Sequence, residues 1–462
     1  MTTSAMTLAY RRASALGSGP DGRLLGLETS GGSGPRGATS NPRFFAGFLT
    51  RPRIAAAGLL AVADVAATRY YQPERRGFLD PVVTGNGDRL RFESFSACCG
   101  VHARLDVLQE GLDGGTTEHG TTNVDVNNPL REALSLLGPD DPLHLRVGPD
   151  EMAVTTLDGP VVEKKVPLPD RWVRGFGETQ VLASAFDLRA ELNAAQTARF
   201  LRSLSTGTSR ASAPVRWLVP APGGVLRATS RAVPGAVCLA GPERLGTLRR
   251  VLRHATGLRV YGPGVRAGSE PVASAWEITL PGMRLTLTLS PAVSRGFSGE
   301  GAVLESLAAE SAAEDADLLS VLLAWEPRVD IADLAARAGL DTARVRAGLT
   351  HLGTSGRIGY DVAEAAYYHR ELPFDTSRVE RANPRLRDAR ALVAEGAVRL
   401  DGATGLVRSG EVTYQVHERD GELGCTCPWW AKYRGGRGPC KHALAVRLVR
   451  RGEVAAVGEA VR

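Results

Sequence analysis

The sequence contains few cysteines and no long apolar run. Its 462 residues include six cysteines, too few for the disulfide framework of a small secreted protein. The most apolar stretch, residues 54–67, contains Asp64 and is too short to cross a bilayer core of about 30 Å. Residues 1–20 lack the apolar core of a secretory signal. We therefore expect a cytoplasmic protein in a reducing compartment, without a membrane segment.

The sequence also lacks the motifs that accompany catalysis. It has no phosphate-binding glycine loop, no nucleophile elbow and no paired acid/base motif. Residues 296–301 are rich in glycine, but no strand-to-helix phosphate motif frames them, so we predict a loop there. An enzyme within residues 80–290 has only the size of that region in its favour. We expect no enzymatic activity and identify no small-molecule substrate.

Positive charge is concentrated near the C-terminus. The formal net charge of the chain is +6, yet residues 423–452 alone contain seven basic residues and no acidic residue. The rest of the chain is therefore slightly negative. This distribution excludes a general polycation and makes the basicity a local property of the C-terminal segment.

Hydrophobic periodicity predicts an α+β, mainly antiparallel region in residues 41–300. Residues 1–40 are rich in Gly, Ser and Thr without sustained periodicity, which predicts a flexible tail. Residues 54–71 have the pattern of an alanine-rich helix. The other predicted elements are hairpins over 143–156, 217–229 and 275–289, and helices over 129–137, 193–204 and 242–254.

Two neighbouring cysteines raise the question of a metal site in this region. Cys98 and Cys99 are followed closely by His102. Adjacent thiolates rarely converge on one ion, and no second ligand pair follows at the spacing of a zinc finger. We interpret them as buried free thiols, and Cys238 as a core residue.

Residues 311–375 have a pattern similar to a winged helix-turn-helix domain. The pattern predicts a helix over 317–325, a second that Asp330 caps and Gly339 ends, and a third that Asp341 caps. Two short strands, at 357–361 and 366–369, follow as a hairpin. Three helices followed by a hairpin are the elements of this domain type.

The third of these helices would carry any contact with a major groove. It would present Arg344 and Arg346, together with Thr342 and Thr350. Acidic residues are frequent in this region, which opposes phosphate binding. Winged helices also serve as protein-contact or structural modules, so both interpretations stay open.

The most specific motif is a set of three cysteines and a histidine with the spacing C-x-C-x12-C-x-H. The four residues are Cys425, Cys427, Cys440 and His442. Residues i and i+2 of an extended strand face the same side, about 6.5 Å apart, so the first two thiols can reach one ion. On a helix, such residues point about 200° apart. Cys440 is therefore expected just before a helix and His442 in its first turn. Four nitrogen and sulfur ligands fill a tetrahedral Zn²⁺ site, which predicts a structural site rather than a catalytic one.

The segment CTCPWWAKYRGGRGPCKH, from Cys425 to His442, resembles the SWIM-type zinc finger. Predicted strands at 405–408, 412–416 and 424–428 and helices at 384–395 and 443–449 surround it, giving a ββα finger domain over residues 380–462. The resemblance places the ligands of the family on the same four residues and implies binding to DNA or to protein partners. Without helicase or transposase motifs, the chain is more similar to the stand-alone bacterial members.

The loop between the two ligand pairs interleaves aromatic and basic side chains. Its candidate nucleic-acid contacts are Trp429, Trp430, Lys432, Tyr433, Arg434, Arg437 and the following Lys441. Cations can meet phosphates, and rings can stack on bases at about 1–3 kcal/mol each. We predict that one tryptophan is buried against the hairpin and the other is partly exposed. DNA is the expected partner, and the alternative is an acidic protein that the same basic finger docks.

Overall fold

The computed structural model describes residues 43–71, 81–114, 117–204, 215–297, 301, 303–304, 310–323, 326–372, 383–419 and 422–460, the last ten as backbone. In the segment predicted as a flexible tail, the backbone of five short strands is described, and the rest lies outside the described residues. These strands are Thr7–Leu8, Ala15–Gly19, Gly22–Gly26, Gly32–Gly34 and Gly37–Ala38.

The region from residue 43 to residue 297 is α+β, as predicted. Its elements in chain order are β1 (Phe45–Leu49), α1 (Pro52–Ala67), β2 (Val82–Asn86), β3 (Arg89–Phe95), β4 (Val101–Leu108), β5 (Leu112–Asp113), β6 (His119–Asn123), α2 (Asn128–Leu136), β7 (His144–Val147), β8 (Glu151–Thr156), β9 (Gly159–Lys164), α3 (Asp170–Ala183), β10 (Asp187–Asn193), α4 (Ala194–Ser203), β11 (Arg216–Ala221), β12 (Val225–Thr229), β13 (Val237–Leu239), β14 (Gly257–Gly262), β15 (Ser274–Leu280) and β16 (Met283–Leu289).

An eight-stranded antiparallel sheet, in the order β6-β2-β3-β4-β16-β15-β14-β10, forms the centre of this region. Leu285, Leu287 and Leu289 lie on one face of β16 and alternate with threonines on the other. Every residue of β16 is buried, so both faces of this strand are covered. The alanine-rich helix α1 packs against β3 and β4. At Gly58 it comes so close that an added Cβ would lie 2.8 Å from Leu105 Cδ1.

Two smaller antiparallel sheets complete the α+β region. Their strand orders are β5-β1-β7-β8-β9 and β12-β11-β13. All three predicted hairpins are confirmed, as β7–β8, β11–β12 and β15–β16. The predicted helix over 242–254 is instead two 3₁₀ helices, Pro242–Arg250 and Leu252–His254. Cys99 and Cys238 are buried, Cys98 is half-buried, and none of the three belongs to a metal-binding cluster of the described residues.

The C-terminal third contains helices, a hairpin and a four-stranded sheet. Its elements are α5 (Glu310–Leu322), α6 (Ile331–Ala338), α7 (Thr342–Thr354), β17 (Ile358–Asp361), β18 (Ala366–His369), α8 (Pro384–Ala394), β19 (Val398–Asp401), β20 (Thr404–Ser409), β21 (Val412–Arg419), β22 (Glu422–Cys425), α9 (Pro428–Tyr433) and α10 (Lys441–Ala460). No helix in the described ranges is long and apolar enough to cross a membrane.

The predicted helix caps of residues 311–375 are confirmed. Asp330 accepts hydrogen bonds from the first turn of α6, and Gly339 ends that helix with a φ of 66°. Asp341 caps α7 in the same way. The first helix differs from the prediction: α5 ends at Leu322, whereas the predicted helix began at residue 317 and ended at 325.

The hairpin β17–β18 packs onto the eight-stranded sheet. Asp361, buried at the end of β17, accepts hydrogen bonds from Arg91 and Arg284 at 2.9 Å and from Arg104 at 3.0 Å. Every residue of β18 is also buried. The winged-helix assignment is therefore not confirmed, because the strands that would form a projecting wing are part of the interior.

Candidate metal centre

A four-stranded antiparallel sheet in the order β19-β20-β21-β22 supports the C-terminal motif. Val407 and Val416 are buried on the face of the sheet that packs against α8 and α10. The register pairs Val416 with Cys425, so the last residue of β22 lies beside the core of the module. The strands β20 and β21 confirm the predicted hairpin, while β19 was not predicted.

The four predicted ligands converge at one end of this sheet. Cys425 ends β22, and Cys427 precedes α9 in extended backbone with φ −74° and ψ 157°. Cys440 immediately precedes α10, and His442 is the second residue of that helix. All four side chains are buried, and their ligand atoms lie within 4.8 Å of one another. The expected Cys3His arrangement is thus confirmed.

One detail of the motif differs from the prediction. Cys427 does not continue the strand but is the N-cap of α9, where its Sγ accepts a hydrogen bond from the Trp430 amide at 3.4 Å. Pro428 occupies the first position of α9, which favours a helical start. The short helix was missed because its six residues are too few to display a periodic pattern.

The thiols lie in surroundings that favour one shared negative charge. The amide of Ala443 donates to Cys440 Sγ at 3.4 Å, at the N-terminal end of α10. The hydrogen bond from Cys425 lowers the pKa of the Cys440 thiol and outweighs burial, which acts to raise it; hydrogen bonds from His442 and Ala443 lower it further. The same pairing with Cys440, together with burial, raises the pKa of Cys425. Of the three thiols, Cys440 is therefore the one whose surroundings favour the thiolate.

The donor set and its spacing fit Zn²⁺. Cys425 Sγ lies 3.8 Å from His442 Nδ1, close to the roughly 3.5–3.8 Å that separates neighbouring ligands around tetrahedral zinc. The ring of Tyr414 stacks on the His442 imidazole at 4.4 Å between centroids, which limits rotation of the imidazole. Three thiolates and one imidazole complete the coordination of zinc without a water, so the chemistry of the site is structural.

The two tryptophans of the intervening loop are both half-buried, so the prediction of one buried and one partly exposed ring is wrong. Successive residues of α9 point about 100° apart, so each indole covers a different side of the core. Trp429 packs against Tyr433 at 4.4 Å between ring centroids. Trp430 lies on the side that faces the α+β region.

Basic side chains surround the exposed edges of these rings. The guanidinium of Arg437 lies 5.0 Å from the Tyr433 ring centroid, and the Lys432 ammonium lies 5.2 Å from it. Hydrogen bonds from Lys432 and Arg437 lower the pKa of the Tyr433 hydroxyl. Arg385, a residue of α8 that was not predicted, lies 4.7 Å from the Trp429 ring centroid. No local signal marks Arg385, because it is far from the motif in sequence.

A groove of about 640 Å³ separates the finger from the α+β region. Trp430, Arg434 and Arg447 line it from the finger, and Leu182 and Phe186 line the opposite wall. At the edge of the groove, Arg295 Nη2 donates to the Gly436 carbonyl at 2.5 Å. The groove thus joins an aromatic ring and two cations to a largely apolar wall.

The two predicted contacts outside the finger lie on α7. Arg344 forms an ion pair with the buried Asp315 at 2.6 Å, which raises the pKa of Arg344. Arg346 is exposed. The neighbouring Gln180 of α3 donates to the Thr350 carbonyl at 3.1 Å, so part of the helix surface is covered by α3.

The family model of the SWIM zinc finger matches residues 411–449, a segment that contains all four ligands. No curated protein matches the chain. The chain shares 9% identity with the solved structure of Proliferating Cellular Nuclear Antigen from Entamoeba histolytica, over 54% of this chain and 98% of that one, with a TM-score of 0.35. The PCNA2-PCNA3 complex from Sulfolobus tokodaii also shares 9% identity, over 53% of this chain and 98% of that one, with a TM-score of 0.36. A likeness of this size does not establish a common fold.

Proposed function

Starting from the SWIM zinc finger within residues 411–449, we propose that its zinc site holds a basic, aromatic surface that binds DNA. The finger surface consists of Trp430, Lys432, Tyr433, Arg434, Arg437 and Lys441. The observation that carries the proposal is the arrangement of cations around aromatic rings on α9 and along the groove beside it. Phosphates attract the cations, and unpaired bases stack on rings of this kind.

Three cations of the finger surface, Lys432, Arg434 and Lys441, are available to a ligand. Lys432 and Arg434 are exposed, and neither they nor Lys441 forms an ion pair with a carboxylate of the described residues. By contrast, Arg450 of α10 is paired with Glu418. An unpaired cation beside a ring is available to a phosphate without first breaking an internal ion pair.

The groove beside Trp430 favours a single strand over a duplex. Its walls come from the finger and from the α+β region, and Arg434 and Arg447 lie on the finger side. An extended strand can place a base against Trp430 and its phosphates near the two arginines. Arg346 of α7 is a secondary candidate contact. Arg344 is a weaker one, because Asp315 already neutralises its charge. We propose no catalytic step for this chain.

An acidic protein partner is the second candidate. The apolar wall of the same groove, which includes Leu182, Phe186 and Pro271, favours a peptide with apolar side chains beside its acids. A stoichiometric protein recovered by affinity purification after nuclease treatment, together with absent DNA binding, would favour this candidate.

The experiment measures binding of zinc-loaded full-length protein to fluorescently labelled single- and double-stranded DNA by anisotropy. Affinity is expected to fall steeply between about 50 and 200 mM salt, because phosphate contacts release counterions. The double variant Lys432→Glu/Arg434→Glu is expected to lose most of the binding. The matched control, Arg227→Glu/Arg231→Glu, makes the same charge change at two exposed arginines on and just after β12. The proposal would be refuted if the two double variants bound DNA with equal affinity, or if the affinity did not change with salt concentration.

A further inference from the structure

A second basic surface lies on the α+β region, far from the finger in sequence. Four arginines, Arg53, Arg249, Arg250 and Arg253, line a cavity of about 400 Å³. Arg53 belongs to the first turn of α1, and the other three belong to the two 3₁₀ helices between β13 and β14. The floor is apolar and comes from α1 and α2, with Ala57, Leu60, Leu134 and Leu137 among its residues.

No carboxylate lines this cavity. Asp64, which lies on α1, is held by Arg131 and by Arg250, the latter at 2.7 Å, so its charge is already balanced. Arg53 forms no ion pair with a carboxylate of the described residues, and Arg253 contacts the ring of His254 rather than an acid. Positive charge is therefore left uncompensated at the mouth of the cavity.

Two further features indicate a positive, partly preorganised site. Arg249 donates from Nε and Nη2 to the Leu201 carbonyl and from Nη2 to the Leu204 carbonyl, which fixes its guanidinium in place. Burial, followed by the charges of Arg253 and Arg53, lowers the pKa of His254. The two arginine charges act in the same direction as burial, as expected for a histidine beside a positive cluster.

We propose that this cavity binds a phosphate group, with Arg53, Arg249 and Arg253 around the phosphate and the apolar floor beneath the rest of the ligand. Guanidinium groups form paired, charge-assisted hydrogen bonds with phosphate oxygens, and several such groups without an acid select a multiply charged anion. The phosphate belongs either to a nucleic-acid backbone or to a small phosphorylated molecule. The site lies outside the zinc finger and does not depend on the function proposed for it.

The test uses the zinc-loaded full chain, with pyrophosphate, ATP and a labelled single-stranded DNA as probes. Binding is followed by calorimetry and by the thermal transition of the α+β region. The variant Arg53→Glu/Arg253→Glu changes the two arginines without a carboxylate partner and leaves Arg249 and Arg250 to their internal contacts. Affinity for pyrophosphate is expected to fall at least tenfold, while Arg227→Glu/Arg231→Glu and the finger variant Lys432→Glu/Arg434→Glu retain it.

The three probes distinguish the source of the phosphate. If Arg53→Glu/Arg253→Glu loses binding of both pyrophosphate and DNA, the cavity binds phosphates of a nucleic-acid backbone. Loss of pyrophosphate or ATP binding alone supports the site with a small phosphorylated ligand. The charge-preserving variant Arg53→Lys/Arg253→Lys, with an unchanged thermal transition, is expected to retain part of the affinity and controls for folding. If pyrophosphate and ATP fail to bind the wild type, or bind all variants equally, the proposal is wrong.

Discussion

At the scale of single residues, Arg434 has a backbone conformation that is unusual for a residue other than glycine. It ends α9 with a φ of 43°, in the left-handed region that favours glycine, and its neighbour Gly435 has a φ of 79°. A side chain there costs about 1 kcal/mol or more relative to glycine. The chain keeps a cation at this strained position on the wall of the groove, which is consistent with a role in binding rather than in folding.

Replacing Arg434 by glycine separates strain from charge. In Arg434→Gly the free energy of unfolding is expected to stay equal or rise by up to about 1 kcal/mol, because relief of strain exceeds the added entropy of the unfolded chain. Affinity for DNA is expected to fall at the same time. Arg434→Ala keeps the strain and loses the charge, so it serves as the comparison in urea unfolding and anisotropy. A less stable Arg434→Gly protein would contradict this account of the loop.

A second single residue, Glu163, is expected to make the stability of the protein depend on pH. Burial raises the pKa of this carboxyl to about 7, although Asn127 donates a hydrogen bond to it at 2.8 Å. Because the folded pKa exceeds the unfolded value of about 4.3, the folded state holds the proton more tightly and stability falls as the pH rises through this window.

The variant Glu163→Gln removes that titration. It is expected to be more stable than the wild type at pH 8, by up to about 3 kcal/mol, and close to it at pH 4. Thermal unfolding at both pH values measures the difference. The exposed Glu132→Gln on α2 is the control and should leave the pH profile unchanged. A constant offset between Glu163→Gln and wild type at both pH values would contradict the raised pKa.

Among the secondary-structure elements, the hairpin β17–β18 differs most from its expected role. Burial acts to raise the pKa of Asp361, but the charges of Arg104, Arg91 and Arg284 outweigh it and hold the pKa well below its usual range. Nearby, Arg370 forms an ion pair with the buried Glu93 at 2.6 Å. These ion pairs connect the hairpin to the eight-stranded sheet.

Loss of the Asp361 charge is therefore expected to be severe. Asp361→Asn removes one of the two buried carboxylates that Arg91, Arg104 and Arg284 share, and Asp106 is the other. Breaking a buried ion pair costs up to roughly 3–5 kcal/mol. Urea unfolding should show this loss, whereas removal of the exposed acid in Asp333→Asn should cost less than about 1 kcal/mol. A mild effect of Asp361→Asn would mean that the hairpin is not bound through this charge.

At the scale of the whole molecule, the zinc finger and the eight-stranded sheet have separate cores and meet at the groove. The finger core is built around Cys425, Leu444 and Val446, with Val303 and Leu304 packed beneath it. The sheet and its helices form a separate cluster of buried residues. Metal removal is therefore expected to unfold one part and leave the other.

Chelation of zinc, or the variant Cys440→Ser, tests this expectation. Structural zinc contributes on the order of 10–16 kcal/mol in small finger peptides, so the finger should unfold and the zinc content should fall. The α+β region should keep a cooperative thermal transition. Cys98→Ser, which changes a thiol outside the ligand set, should retain a full zinc equivalent. A full equivalent of zinc in Cys440→Ser would refute the ligand assignment.

Features that depend on neighbouring residues were predictable from the sequence. The capping roles of Asp330 and Asp341, the left-handed Gly339 and the three hairpins each follow from a few consecutive side chains. The zinc ligands were also predictable, because the four residues form two short pairs, each with one residue between its members. Such interactions are set by local backbone geometry, whatever the rest of the chain does.

Tertiary structure alone decided which distant residues meet. It placed Arg385 on Trp429, buried Asp361 among arginines of the sheet, and gathered Arg53 and Arg253 at one cavity. The net charge along the sequence placed the basic residues at the C-terminus. In the folded protein, arginines of the nearly neutral remainder also gather in one place, away from the acidic residues that balance them in the sum. The zinc site is therefore a property of the sequence itself. The surfaces that would receive a ligand arise from long-range packing, which no local pattern records.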